Sequence, residues 1–190
     1  MASTESVSHD DLVVCACGER EYKARDAIDA AFFRGDLGPI WKAFVHRAES
    51  QKHAEERDMD LNEDAFDAAA EAFRYEHDLI TAEETEQWLA SHGLTIDDFS
   101  DYFARQCWAN SVTEEFDRSE TDYLSAPRDL RDLFACEVTL SGDLGQMTTQ
   151  LSRRLAAWKA AKEIDPDSIA TEKKNFLERN KIQPKELNDW

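Results

Sequence analysis

At 190 residues, with 42% apolar and 10% aromatic side chains, the chain is long enough to bury a core and apolar enough to need one. Six glycines and four prolines are too few for a turn-rich all-β fold, while 33% charged residues suit helices with solvated faces, so the chain reads as mainly α. A net charge of −19, from 41 acids against 22 bases, argues against a nucleic-acid partner and an anionic membrane surface, both of which need cationic neutralisation, and would steer in a basic peptide.

No run of 18 apolar residues is present, so no membrane span is expected. Residues 1–10 hold neither a basic nor an apolar signal region, which predicts an unexported chain. Cys15, Cys17, Cys107 and Cys136 are scattered, which fits reduced thiols in the cytoplasm.

Residues 1–11 are polar and expected to be loose. Leu12-Val13-Val14-Cys15-Ala16-Cys17 is a short strand or extended arm, with a turn at Gly18-Glu19. Apolar Ala24, Ala27, Ile28, Ala31 and Phe32 predict a helix over 23–34, with Gly35 as its left-handed stop. Asp36 then caps a second helix to about Arg57, striped by Ile40, Trp41, Phe44, Val45 and Ala48. Asn62 caps a third, bearing Phe66, Ala69, Ala70 and Phe73 and ending near Asp78. Thr81 with Glu84 forms a capping box before Trp88 and Leu89, and Gly93 closes that helix. Thr95 and Asp98 open the next in the same way, with Phe99, Tyr102, Phe103, Gln106 and Cys107 on one face to about Phe116.

Residues 118–126 are the candidate linker between a helical unit at 12–117 and a partial second unit at 127–190. Pro127 suits the first turn of a helix carrying Leu130, Leu133, Phe134 and Val138, which stops at Gly142. Asp143 begins another, with Leu144, Met147, Leu151, Leu155 and Trp158, broken at Asp165-Pro166-Asp167. Ile169, Phe176 and Leu177 continue a helical pattern to Asn180, and a final helix begins at Pro184. It breaks off at apolar Trp190, as a truncated second unit would.

Gly35-Asp36-Leu37-Gly38 recurs as Gly142-Asp143-Leu144-Gly145, a shift of 107, which places Ile40 on Met147, Phe44 on Leu151 and Arg47 on Arg154. The match resumes at a shift of 88, where Trp88-Leu89 faces Phe176-Leu177 and Leu94 faces Ile182. Such recurrence predicts a repeat-like array of two unequal related helical units behind a short N-terminal β-arm.

Chemistry-bearing motifs are sparse. Cys15 and Cys17 would share one face of a strand and are a weak metal candidate, but a closed zinc site needs four ligands. His46 and His53 lie seven apart on one helix face without the Glu-x-x-His partner of a helical metal site. His77 and His92 stand near helix ends, where an imidazolium is favoured. Gly-Asp-Leu-Gly also occurs in parvulin-type prolyl isomerases, yet both copies here introduce helices. No catalytic residues, resident metal or cofactor are assigned. The recurring aromatics Trp41, Phe44, Phe73, Trp88, Phe103, Trp108 and Trp158 are either core or the lining of an apolar groove for a peptide.

Val13-Val14-Cys15-Ala16-Cys17-Gly18-Glu19 followed by a helix resembles the start of SurA-type N-terminal chaperone domains, relatives of the substrate-binding region of trigger factor. Ala54-Glu55-Glu56-Arg57-Asp58-Met59, then Asp60-Leu61-Asn62-Glu63-Asp64-Ala65-Phe66, and later Thr81–Leu89 with Gly93-Leu94-Thr95 and Asp98-Phe99, resemble successive parts of that domain. The family's Asn-Gly turn is Cys17-Gly18 here, and no parvulin domain follows. The resemblance spans about 12–117 and implies a helical, non-enzymatic holder of unfolded or extended polypeptide or of a precursor peptide. Alternatives are an accessory of a peptide-maturation enzyme and a structural module that forms homo-oligomers.

Overall fold

The computed structural model describes residues 9–112 and 122–163, together with Lys174 and Glu178. The extended arm is a hairpin. Strand β1 (Val13–Cys17) turns at Gly18, whose φ of 64° is the left-handed region glycine enters without a Cβ penalty, and returns as antiparallel β2 (Arg20–Lys23). Cys15 stands opposite Tyr22 and Cys17 opposite Arg20, with a register shift between Val13 and Cys15. The last of the residues expected to be loose, His9–Asp11, form a single 3-10 turn. The His9 ring is 2.8 Å from the Thr139 hydroxyl, and the Lys23 ammonium pairs with Asp11.

Helix α1 (Ala24–Arg34) buries the small stripe Ala24, Ala27, Ile28 and Ala31 and stops at Gly35 with φ 80°. Helix α2 (Gly38–Glu56) follows, but Asp36 does not cap it. Asp36 instead takes the Arg34 guanidinium at 2.7 Å, and Leu37, buried at 1% exposure, supplies the first carbonyl of the helix to the Trp41 N–H. The next three starts agree with the capping signals. The Asn62 carbonyl oxygen accepts the Ala65 N–H at 3.1 Å to open α3 (Glu63–Glu76). Thr81 and Glu84 satisfy each other's amides before α4 (Ala82–Ser91), and Thr95 and Asp98 do so before α5 (Ile96–Ser111). The N–H groups of Thr81 and Ile80 hold the Glu84 carboxyl below its ordinary range.

A 3-10 turn at Tyr123–Ser125 leads to α6 (Arg128–Leu140), with Pro127 as its N-cap, and α7 (Asp143–Glu163) follows Gly142. The fold is therefore mainly helical with a small two-stranded N-terminal sheet. The chain divides into one unit at Met1–Leu151 and a second at Ser152–Trp190. Tyr123 falls within the expected linker. It is 3% exposed, and its ring packs 5.6 Å from Phe32, 5.4 Å from Trp41 and 5.9 Å from Phe134. Residues 113–121 and the helices expected from Ile169 to Asn180 and from Pro184 lie outside the described residues, apart from the Lys174–Glu178 pair.

Two apolar clusters fill the first unit. Trp41, Phe44, Tyr123 and Phe134 form an aromatic group whose ring centroids are 5.1–5.9 Å apart. Phe73, Leu79, Leu89, Leu94, Phe99, Phe103 and Leu140 form the second. Helix α6 joins them, giving Phe134 to one and Leu140 to the other.

The repeated Gly-Asp-Leu-Gly is the same helix stop used twice. Gly35 and Gly142 both have φ 80°, and Leu37 and Leu144 both lie buried. Beyond the stop the copies diverge: Ala54 is fully buried whereas Ala161, its counterpart, is exposed. An added Cβ meets nothing within 4 Å at Gly35, Gly142 or Gly145, so backbone conformation alone decides the cost of substitution. Gly35→Ala and Gly142→Ala are each expected to lose about 1–2 kcal/mol, while Gly145→Ala inside α7 gains about 0.5–1 kcal/mol. Urea unfolding of the three variants checks the contrast, and equal effects at all three would contradict it.

The Tyr123 hydroxyl donates to Asp29 Oδ1 at 3.1 Å. Burial, then the Asp29 charge, pushes its pKa up to about 12. The unfolded tyrosine ionises near 10. The folded state thus keeps a proton that the unfolded chain releases, and stability present below about pH 10 falls as pH rises toward 12. Burial and Asp98 push the Cys136 thiol to about 12 as well, so the decline begins near the ordinary thiol range. Urea midpoints across alkaline pH should show a shallower decline in Tyr123→Phe, and an unchanged slope would remove Tyr123 from the account.

A candidate binding groove between two helices

Helices α2 and α5 pack along one another. On α2, Trp41 and Phe44 point into the aromatic cluster, and the neighbouring stripe of Lys42, Ala43, His46 and Arg47 borders an open groove of about 480 Å³ with Pro39. Across it, α5 presents Gln106, Ala109 and Asn110. The spacing explains the lining. Residues 42 and 46, and 43 and 47, lie four apart on one helix, and residue 106 lies three and four before 109 and 110 on the other, so each set borders one side of its helix.

Arg47 of the groove wall also belongs to an ion triad. Arg47 Nε is 2.6 Å from Glu137 Oε1, and Arg105 Nε is 3.0 Å from Glu137 Oε2. The Arg105 and Glu137 side chains are each 1% exposed and that of Arg47 20%, so Arg47 reaches from the buried carboxylate to the groove wall. Two cations share one carboxylate. Burial, then the Glu137 charge, raises the Tyr102 phenol above its usual range and keeps it protonated.

Most aromatics expected to line a peptide groove are placed elsewhere. Trp41, Phe44, Phe73, Phe103 and Trp108 are 0–8% exposed and fill the core, so none can receive a partner in this conformation. The reason is that their helices use these faces against one another, as Trp41 and Phe44 do against Phe134. Trp88 is partly buried, with the His92 ring stacked on it at 4.0 Å and the His77 ring tilted toward it at 5.1 Å. Those histidines are the C-caps of α4 and α3, as their positions suggested. Trp158, in the second unit, is 57% exposed.

Cys15 and Cys17 lie on the same face of β1, both partly buried and unpaired. Among the described residues no group of three or more His, Cys, Asp or Glu side chains is placed to hold a metal. Among those residues, too, no helix is long and apolar enough to cross a membrane.

Neither the groove nor the triad was identified in the sequence. Glu137 left a signal, since it falls at helical spacing within the stripe of Leu130, Leu133, Phe134 and Val138, where an apolar residue belongs. Arg47 likewise follows Ile40 by seven and Phe44 by three.

No protein-family model matches the chain, and comparison with curated proteins and with solved structures returns no match. The fold and groove therefore stand on their own geometry.

Proposed function

We propose that this protein is a non-enzymatic, chaperone-like module that holds an extended polypeptide segment in the groove between α2 and α5. The groove itself carries this reading. It is open, it offers the apolar surfaces of Pro39, Ala43 and Ala109, and it sets the amides of Gln106 and Asn110 beside them. A carboxamide both donates and accepts, as the peptide main chain requires. The resemblance to SurA-type N-terminal domains supports the same reading, as does the hairpin that leads into α1 and the longer α2. Burying two or three partner side chains at about 1.5–3 kcal/mol each, less the cost of ordering the peptide, gives the modest affinity of a holder that must release. The unpaired cysteines suit a cytoplasmic setting. A photo-crosslinking residue at position 109 should capture unfolded-protein peptides, whereas the same residue at exposed position 68 on α3 should not. Equal capture at both sites would remove the groove from the account.

A second reading is self-association. Phe33 at 78%, Ile80 at 65% and Tyr75 at 62% exposure offer apolar side chains to a second copy. Light scattering at rising concentration tests it: a constant monomer mass excludes self-association.

A further inference from the structure

The second half of α7 runs against the composition of the chain. Acids outnumber bases 41 to 22 overall, yet residues 152–161 of this helix hold Arg153, Arg154 and Lys159 and no acid. All three cations are exposed, and among the described residues none of them is held in an ion pair. The helix is also amphipathic here. Leu155 and Trp158 follow Leu151 by four and seven residues, so the stripe buried at Leu144, Met147 and Leu151 continues along the same side of α7. Arg154 precedes Leu155 and Lys159 follows Trp158, which puts one cation on each side of the stripe. Trp158 is 57% exposed but has an interaction of its own, so the cations are what this helix has to offer a partner.

The complementary surface is on α3. Its inner side sets Phe73 in the second apolar cluster, with Phe66, Ala69 and Ala70 packed against it. Its outer side carries Asp64, Asp67 and Glu71, spaced three and four apart, with Tyr75 four residues beyond Glu71. All four are exposed, Tyr75 by 62%, and among the described residues the three carboxylates hold no ion pair. A second copy of the chain brings both surfaces at once, so a twofold arrangement satisfies each helix of each copy. An anionic membrane would meet the same cations, but the acids of the rest of the chain oppose its approach. Repulsion between two acidic copies is screened beyond about 8 Å at physiological salt, whereas ion pairs act at contact.

Resting on the self-association reading, we propose that the protein pairs with a second copy of itself by laying the basic half of α7 on the outer, acidic face of α3, with Arg154 and Lys159 meeting Asp67 and Glu71. The reciprocal contact doubles the buried surface. Two short helix pairs still stand at the small end of stable interfaces, so the dimer is weak and forms only at raised concentration.

The test uses the intact chain and sedimentation velocity over a range of concentrations. Arg154→Glu/Lys159→Glu should raise the dimer Kd roughly tenfold, and Asp67→Lys/Glu71→Lys should do the same, because each places like charges across both contacts. One double variant makes the chain more acidic and the other less, so shifts of opposite sign would trace the effect to net charge and overturn the proposal. An equal mixture of the two variants should restore dimers, since the reversed α7 of one meets the reversed α3 of the other. All four positions are exposed, and far-ultraviolet circular dichroism establishes that both variants keep their helices. A mixture that stays monomeric would assign the losses to local damage and overturn the pairing. Binding to anionic phospholipid vesicles that disappears in Arg154→Glu/Lys159→Glu, without restored dimers in the mixture, would identify a lipid surface instead. If the unaltered chain dimerises and neither double variant shifts its Kd, this pairing fails while self-association survives. If the unaltered chain stays monomeric, both fail together.

Discussion

Glu137→Leu is expected to destabilise the folded chain by about 3–5 kcal/mol, the usual result of leaving buried charge without its partner. The carboxylate is 1% exposed and receives Arg47 at 2.6 Å and Arg105 at 3.0 Å. Without it, Arg105 stays buried and cationic, and its Nη2 already has no hydrogen-bond partner among the described residues. Arg47 suffers less, because it lines the groove and can turn toward water. For a chain of this size the loss corresponds to a fall in Tm of roughly 6–20 °C. The companion variant Arg105→Met/Glu137→Leu should recover much of the loss, since replacing both members of a buried pair with apolar groups is often close to neutral. Urea unfolding at unchanged m-value measures both. A single variant that loses under about 1 kcal/mol would mean that the triad is solvated and contributes little.

A fragment ending at residue 117 is expected to fail to fold cooperatively, although the capping signals of α1–α5 lie wholly within it. It would lack Phe134, which is 0% exposed and lies 5.1 Å from Trp41 and 5.2 Å from Phe44. It would lack Tyr123, whose ring lies 5.4 Å from Trp41, and Leu140, a member of the second cluster. It would also leave Arg105 buried without Glu137. In the intact chain Phe134→Ala alone should cost about 3–5 kcal/mol, because the cavity opens among aromatic rings that cannot collapse to fill it. Near-ultraviolet circular dichroism and the sharpness of urea unfolding read the fragment. A native-like aromatic signal with a steep transition would place a boundary near 118–126.

These expectations bear on the groove as well as on stability. Arg47 is both a wall of the groove and a member of the triad, so the buried carboxylate fixes one cation of the proposed peptide site. Loss of Glu137 should loosen that cation even where the fold survives.

What the sequence determined by itself is local. Asn62, Thr81 with Glu84, and Thr95 with Asp98 start helices where their side chains reach amides three residues on, and Gly35 and Gly142 end helices by taking φ 80°. Such contacts close within one turn of chain, so their signal survives without knowledge of the rest. Asp36 is the instructive exception: Arg34, two residues away, takes its carboxylate instead. Only the tertiary structure decided which apolar faces meet, which aromatics are core and which border open space, and which charges are buried. The Trp41 stripe reads alike whether it faces a peptide or Phe134, because helical spacing records that a face is apolar and not what covers it. Glu137 lies 32 residues from Arg105 and 90 from Arg47, and their pairing rests on how α2, α5 and α6 pack, a relation that no local periodicity encodes.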